Sequence, residues 1–181
     1  MQAIAMTDTT DAAMMVRLQD GDRRAYEELW SRWRHRIFQF LLRRTGSRQH
    51  AEDAFQRTWL KVYKYRQSYD PNRPFRSWLF RIAANAGSDA RRADGDLFYL
   101  PPEALEDVRW ATPRDSFEIR DLAAKALHAL GVSDRRILLL TIEGFSSPEI
   151  AEMLDMNQAT VRVRLHRARH TVRAAVGGPH D

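Results

Sequence analysis

The stretch SSPEIAEMLDMNQATVRVRLHRAR, residues 146–169, decides how this chain is read. Ser146 and Glu149 stand three apart, the spacing at which the two side chains cap one helix start together. Pro148 falls near that start, where its missing N–H is tolerated. Ile150 and Leu154 form the core side of a short helix. Asp155-Met156-Asn157 follows as a turn, with Asp155 where glycine is common; Asp reaches the left-handed conformation at modest cost. Asn157 caps a second helix whose apolar stripe is Val161, Leu165, Ala168 and Val172. Small Ala151 sits where the two helices approach, and Met156 and Val161 plug the core, so the pair has the form of a helix-turn-helix. Between Ala159 and Val176 there are five Arg, two His and no acid. Laid in a major groove, such a helix presents its first residues to base edges and later ones to phosphates.

Upstream, two further short helices complete this block. One runs from Phe117 to Leu130 on Ile119, Leu122, Ala123, Ala126 and Leu127. The next is capped by Ser133 or Asp134 and continues through Ile137, Leu138 and Ile142 to Gly144. Residues 94–116 change character: six acids (Asp94, Asp96, Glu103, Glu106, Asp107, Asp115) stand against two bases (Arg109, Arg114), with three prolines and no helical face. The stretch reads as an acidic linker.

The N-terminal half is helical again. Tyr26, Leu29, Trp30, Trp33, Ile37, Phe38 and Leu41 recur at helical steps until Gly46-Ser47. A second face is Ala51, Ala54, Phe55, Thr58, Trp59 and Val62, with Glu52, Asp53, Gln56, Arg57 and Lys61 opposite. Two prolines make Asp70-Pro-Asn-Arg-Pro74 a turn. A third helix carries Phe75, Trp78, Leu79, Ile82 and Ala86 and ends at Arg91-Arg92. Tyr65, Tyr69, Phe75 and Trp78 flank the turn beside Arg73, Arg76 and Arg81. Basic grooves with interleaved rings suit unstacked bases, although rings at this spacing also serve as core.

Composition narrows the function. The chain has 181 residues, a net charge of +5 and a pI near 10.0, which favours a polyanionic partner. With 44% hydrophobic residues it can bury a core. No cysteine is present, which excludes a disulfide framework, a thiolate zinc site and a cysteine nucleophile. No apolar run approaches the roughly 20 residues of a membrane span. Enzyme readings fare badly: there is no phosphate loop, Glu52 and Asp53 point apart on a helix, and the His166/His170 pair lacks a third ligand. The expectation is an all-α, cytoplasmic protein of two small helical domains, without catalytic residue, cofactor or metal. A plain duplex-DNA regulator and a basic protein-interaction module remain open on these features alone.

Four motifs stand in order: Asp20-Gly-Asp22 with Ala25-Tyr26-Glu-Glu-Leu29; Ala51-Glu-Asp-Ala-Phe-Gln56 with Trp59; Pro74-Phe-Arg-Ser-Trp-Leu-Phe-Arg-Ile-Ala-Ala-Asn85; and Ser147-Pro-Glu-Ile-Ala-Glu-Met-Leu154 with Ala159-Thr-Val-Arg-Val-Arg-Leu-His-Arg-Ala-Arg169. Over roughly residues 15–176 the chain resembles alternative sigma factors of bacterial RNA polymerase, the extracytoplasmic-function group of the sigma-70 family. The resemblance implies a tail at 1–14, a sigma2-like helical bundle at 15–94, a linker at 95–116 and a sigma4-like helix-turn-helix domain at 117–178. It implies a factor that binds core polymerase, directs it to specific promoters and helps open them.

By the same resemblance, Asp53, Gln56 and Trp59 would dock on the beta-prime coiled coil. Arg73, Arg76, Trp78, Arg81 and Asn85 would melt and read the minus-10 element. Gln158, Thr160, Arg162, Val163, Arg164 and Arg167 would read the minus-35 element while other faces of that domain touch the beta flap. The linker would run through polymerase channels near the active centre. An anti-sigma factor is implied as a further partner, and no membrane insertion. Arg57 and Val163 depart from the family's usual acid and small polar residue. Val163 suits a thymine methyl rather than a hydrogen bond.

Overall fold

The computed structural model describes the backbone of residues 2–90 and 113–176 and the side chains of 10–86 and 121–175. Among the described residues all regular structure is helical: α1 Gln2–Gln19, α2 Arg23–Thr45, α3 Arg48–Lys64, α4 Phe75–Ala90, α5 Pro113–His128, α6 Val132–Ile142, α7 Ser147–Leu154 and α8 Gln158–Val176. A single 3-10 turn, Arg66–Ser68, precedes α4. The all-α expectation with two helical units is borne out.

The first helix is a departure. Residues 1–14 read as a tail, yet α1 begins at Gln2 and buries Met14, Met15 and Leu18. Its anchor is Asp11, fully buried, which accepts from Trp33 Nε1 at 2.9 Å and from Arg32 Nη1 at 2.7 Å. A carboxylate out of water requires such partners. They lie more than twenty residues away, so nothing local announced this contact. Asp20-Gly21-Asp22 then turns the chain. Gly21 has φ +96 and open space around it, so the requirement is one of backbone angle. Asp22 caps α2, accepting from the Arg24 N–H at 2.9 Å.

The remaining boundaries follow capping chemistry. Gly46 closes α2 in the left-handed region, with its N–H on Leu42 O, and Ser47 caps α3. The core of the first unit is aromatic. Phe40 meets Phe80 edge-on at 5.1 Å, and Trp33 meets Phe75 at 6.2 Å and Phe80 at 6.3 Å.

In the second unit Ile137, Leu140, Ile150, Leu154, Val161, Leu165 and Ala168 are buried together. The Ser146/Glu149 box forms: the Glu149 carboxylate accepts from the Ser146 N–H at 2.7 Å and from its hydroxyl at 2.5 Å. Asn157 Oδ1 accepts from the Ala159 N–H at 2.8 Å. The start of α6 is corrected. Its cap is Gly131, without a side-chain bond; Ser133 and Asp134 lie inside the first turn, and Asp134 instead accepts from Arg164 at 3.0 Å. Residues 113–116, read as linker, begin α5, because proline is tolerated in a first helical turn. The rest of the acidic stretch and Arg91-Arg92 lie outside the described residues.

The two units pack against each other, α6 on α2 and α7 on α4. Phe145 enters the aromatic core of the first unit, 5.3 Å from Phe80. Glu143, buried, accepts from Arg36 Nε at 2.8 Å and Arg43 Nη2 at 3.2 Å. Arg135, fully buried, donates to Leu127 O at 2.7 Å and Leu130 O at 2.9 Å in its own unit, and to Arg44 O at 3.4 Å in the other.

Asp155 is the one non-glycine among the described residues with positive φ, at φ 52 and ψ 52. Asp155→Gly should raise stability by up to about 1 kcal/mol by relieving the left-handed strain, and Asp155→Val should lower it by about 1–2 kcal/mol. Urea unfolding midpoints of the two variants against the native chain check both signs.

Candidate nucleic-acid interface

Three surfaces emerge. On α8, Arg162, Val163, Arg167 and Thr160 are exposed, with Val163 at 59%. Gln158 is half-buried at the helix start. Arg164 is less available than its neighbours: half-buried, it is paired with Asp134 at 3.0 Å. Beside it, burial foremost and then the charge of Arg164 hold the Arg136 guanidinium below its ordinary value. The exposed row contains no acid, so the helix offers an uncompensated positive face. The left-handed Asp155, with the Met156 N–H on Ala151 O at 2.9 Å, sets the angle at which α8 leaves α7.

On α3, Asp53 and Gln56 are exposed and point the same way, three residues apart. Leu60 continues that line one turn on and is 69% exposed. The sequence held a signal for it: Leu60 lies off the helix's apolar stripe, among polar neighbours. Trp59 is corrected. It is 3% exposed, packed edge-on against Tyr26 at 5.9 Å and Phe55 at 6.2 Å. It supports this face from beneath and offers no surface to a partner, because its place on the helical stripe turns it inward.

On α4 and the turn before it, four of the expected reading residues come together. Arg73, Trp78, Arg81 and Asn85 line one cavity of 660 Å³, with Lys61 and Tyr65 from the end of α3. The turn is held by Tyr69, whose hydroxyl donates to Arg73 O at 2.7 Å, and by Asp70, whose Oδ1 accepts from the Asn72 N–H at 2.9 Å. The four aromatics divide. Tyr69 and Phe75 are core, Trp78 is half-buried, and Tyr65 is 46% exposed. Trp78 rests on Tyr69 at 5.4 Å and Phe75 at 6.1 Å. A ring so backed and open on its cavity side, beside two guanidinium groups and an amide, can stack a planar base and bond its edge.

Arg76 does not join that wall. Its guanidinium lies over Phe145 at 4.2 Å. The opposite wall of the cavity is Glu149, Glu152 and Met153 of α7, and Arg73 pairs with Glu152. Sequence reasoning missed all of these partners. No group of His and acidic residues placed to hold a metal occurs among the described residues, and no described helix is long and apolar enough to cross a membrane.

The description "Sigma-70 region 2" matches residues 29–96 and "Sigma-70, region 4" matches residues 120–172. The RNA polymerase sigma factor CarQ of Myxococcus xanthus is 34% identical over 166 residues, covering 90% of this chain and 95% of its own. The ECF RNA polymerase sigma-E factor of Haemophilus influenzae is 32% identical, covering 90% of this chain and 93% of its own. Among solved structures, CnrH in complex with the cytosolic domain of CnrY matches with a TM-score of 0.67 at 27% identity, over 91% of this chain and 95% of that one.

Burial separates the two roles on α3. Trp59→Ala should lower stability by about 3–5 kcal/mol, as for other buried aromatics. Gln56→Ala should change it by less than about 0.5 kcal/mol. Chemical denaturation followed by circular dichroism checks the contrast; equal effects would return Trp59 to the surface.

Proposed function

Because this chain belongs to the extracytoplasmic-function group of the sigma-70 family, a factor for promoter-specific initiation with core RNA polymerase, we propose how its own surfaces divide that work. The α3 face of Asp53, Gln56 and Leu60 docks on the beta-prime coiled coil, an apolar side chain between polar ones. The α4 wall of Arg73, Trp78, Arg81 and Asn85 captures and reads bases of the opened minus-10 element, and Arg76, outside that wall, adds positive charge beside it. Unstacked bases are held by rings at about 1–3 kcal/mol each, and cations beside them neutralise the strand. The α8 row of Gln158, Thr160, Arg162, Val163 and Arg167 reads the minus-35 element in the major groove, with Arg164 supporting it and other faces of that unit on the beta flap.

The observation that carries this reading is that a backed tryptophan, two arginines and an asparagine share one cavity wall, while the acid-free recognition row stands on a separate helix. On this reading the first unit starts ahead of residue 15, so as to include the Asp11 anchor of α1, and the second unit carries the upstream element's reader. The factor catalyses nothing itself and needs no cofactor or metal; the polymerase carries the chemistry. It acts in the cytoplasm, where an anti-sigma factor is a further partner. Pull-down with core polymerase followed by run-off transcription tests the whole reading.

Two variant sets locate the surfaces. Asp53→Lys with Gln56→Ala should weaken core binding at least tenfold, measured by fluorescence anisotropy, with the helical circular dichroism unchanged. Asn85→Ala should leave core binding intact and slow promoter opening, read as reduced permanganate reactivity of thymines near the start site. Arg162→Ala should instead relax preference at one base pair of the upstream element, worth about 1–3 kcal/mol if it bonds a guanine edge. Equal opening rates for Asn85→Ala and the native chain would remove Asn85 from the reading site.

A further inference from the structure

The reading row assigned on α8 leaves His166 without a role. Val161, Leu165 and Ala168 are buried and fix which side of the helix faces inward. At about 100° per residue, the direct outward line runs through the exposed Val163. His166 and Arg167 are exposed and stand on either side of that line, each roughly 50° from it. Arg162 is turned roughly 90° away, toward one edge of the helix. Side chains on a helix lean toward its N-terminus, so the His166 ring leans back toward Val163. Residues 158–167 rise about 15 Å, enough to cross a major groove about 12 Å wide. His166 falls within that span; His170, also exposed and one turn on, falls past it.

We propose that His166 is a further base-reading residue of α8, placed beside Val163, and that protonation of its ring sets which base edge it accepts. The inference rests on the assignment of α8 to the major groove of the upstream element. A neutral imidazole offers one donor and one acceptor, and a protonated one offers two donors. Guanine presents two acceptors, N7 and O6, in the major groove; cytosine presents the N4 donor, and adenine one group of each kind. The neutral ring therefore tolerates several edges, whereas the charged ring is matched by guanine and opposed by cytosine. Imidazole is the side chain whose ordinary titration falls between about pH 5 and 8, so the base preference of this factor varies over that interval.

The charges around the ring leave its nitrogens to a base. On α8 its neighbours are Arg162, Arg167 and Arg169, with His170 one turn on, and no acid. The helix packs against α5, α6 and α7. The acids these elements carry among the described residues are engaged elsewhere: Asp134 with Arg164, Glu149 with Ser146, Glu152 with Arg73 and Asp121 with Lys125. Their cationic and titratable groups are Lys125, His128, Arg135, which turns inward to carbonyls, and Arg136, which lies beside Arg164. Asp155, in the turn, precedes His166 by about three helical turns. Among the described residues neither His166 nor His170 has a hydrogen bond or an ion pair.

The test uses holoenzyme assembled from the full chain and core polymerase, with a pool of promoter duplexes randomised in the upstream element. Base preference is read as a ratio within one reaction, so effects of pH on the polymerase itself cancel. The native chain should favour guanine over cytosine at one base pair by about tenfold at about pH 6, and by about threefold or less at about pH 8. His166→Arg, which keeps a cation at the site, should hold the guanine preference constant across that range. His166→Ala should abolish the preference at that pair alone, with circular dichroism unchanged because the position is exposed. His170→Ala should weaken binding to all duplexes alike and leave the ratio as it was. A native ratio that does not change with pH would overturn the proposal, as would a pH dependence that survives in His166→Ala or is lost in His170→Ala. In those cases a selected upstream sequence still leaves α8 as its reader. If no form selects any upstream sequence, the assignment of α8 falls and the role of His166 falls with it.

Discussion

The carboxylate of Glu143 sits at 7% exposure between two guanidinium groups of the other helical unit. Burial of a charge is costly unless it is paired and hydrogen-bonded, and removal of one partner leaves that cost uncompensated. Glu143 therefore ties the end of α6 to the second half of α2. That tie places Phe145 against Phe80, and α7 then has only one place to lie, along α4. The position of Arg76, the walls of the cavity and the pairing of Arg73 with Glu152 all follow from it.

Arg135 plays the complementary role from the second unit. It collects the carbonyls at the end of α5 and reaches Arg44 O across the boundary. The last turn of a helix leaves carbonyls without partners, and a buried cation with five donors answers several at once. The boundary between units thus joins buried charged contacts to aromatic packing. Such an interface can separate with less penalty than an apolar core, because each charge regains water on exposure. This agrees with a protein whose two nucleic-acid surfaces are assigned to elements far apart on DNA.

The helices themselves were largely legible. Apolar periodicity located α2, α3, α4 and α8, and capping chemistry located the turn of the helix-turn-helix to the residue, because both act over three or four positions along the chain. The linker side of α5 and the cap of α6 were misplaced, since Pro113 and Gly131 act through backbone geometry more than side-chain signature. α1 was missed because its stability comes from Asp11 reaching Trp33 and Arg32. Trp59 lay on both the apolar stripe and the family motif, and only its burial separated those roles. The exposed row of α8 and the Asp53/Gln56 face were readable as polar residues unneeded by their own helix.

By itself the sequence determined that the chain is all-helical, that its last two helices form a helix-turn-helix, that its basic face is uncompensated, and to which family it belongs. Each rests on residues close together in the chain or on motifs in a set order. Only the tertiary structure decided that Arg73, Trp78, Arg81 and Asn85 share one cavity, that α7 forms its other wall, and that Arg36 and Arg43 clasp Glu143. Those pairs stand about 100 residues apart in the chain. No local pattern specifies which of 29 basic residues meets which of 24 acids. The choice is made by packing: only the assembled helices bring Glu143 within reach of Arg36 and Arg43, and Phe145 within reach of Phe80.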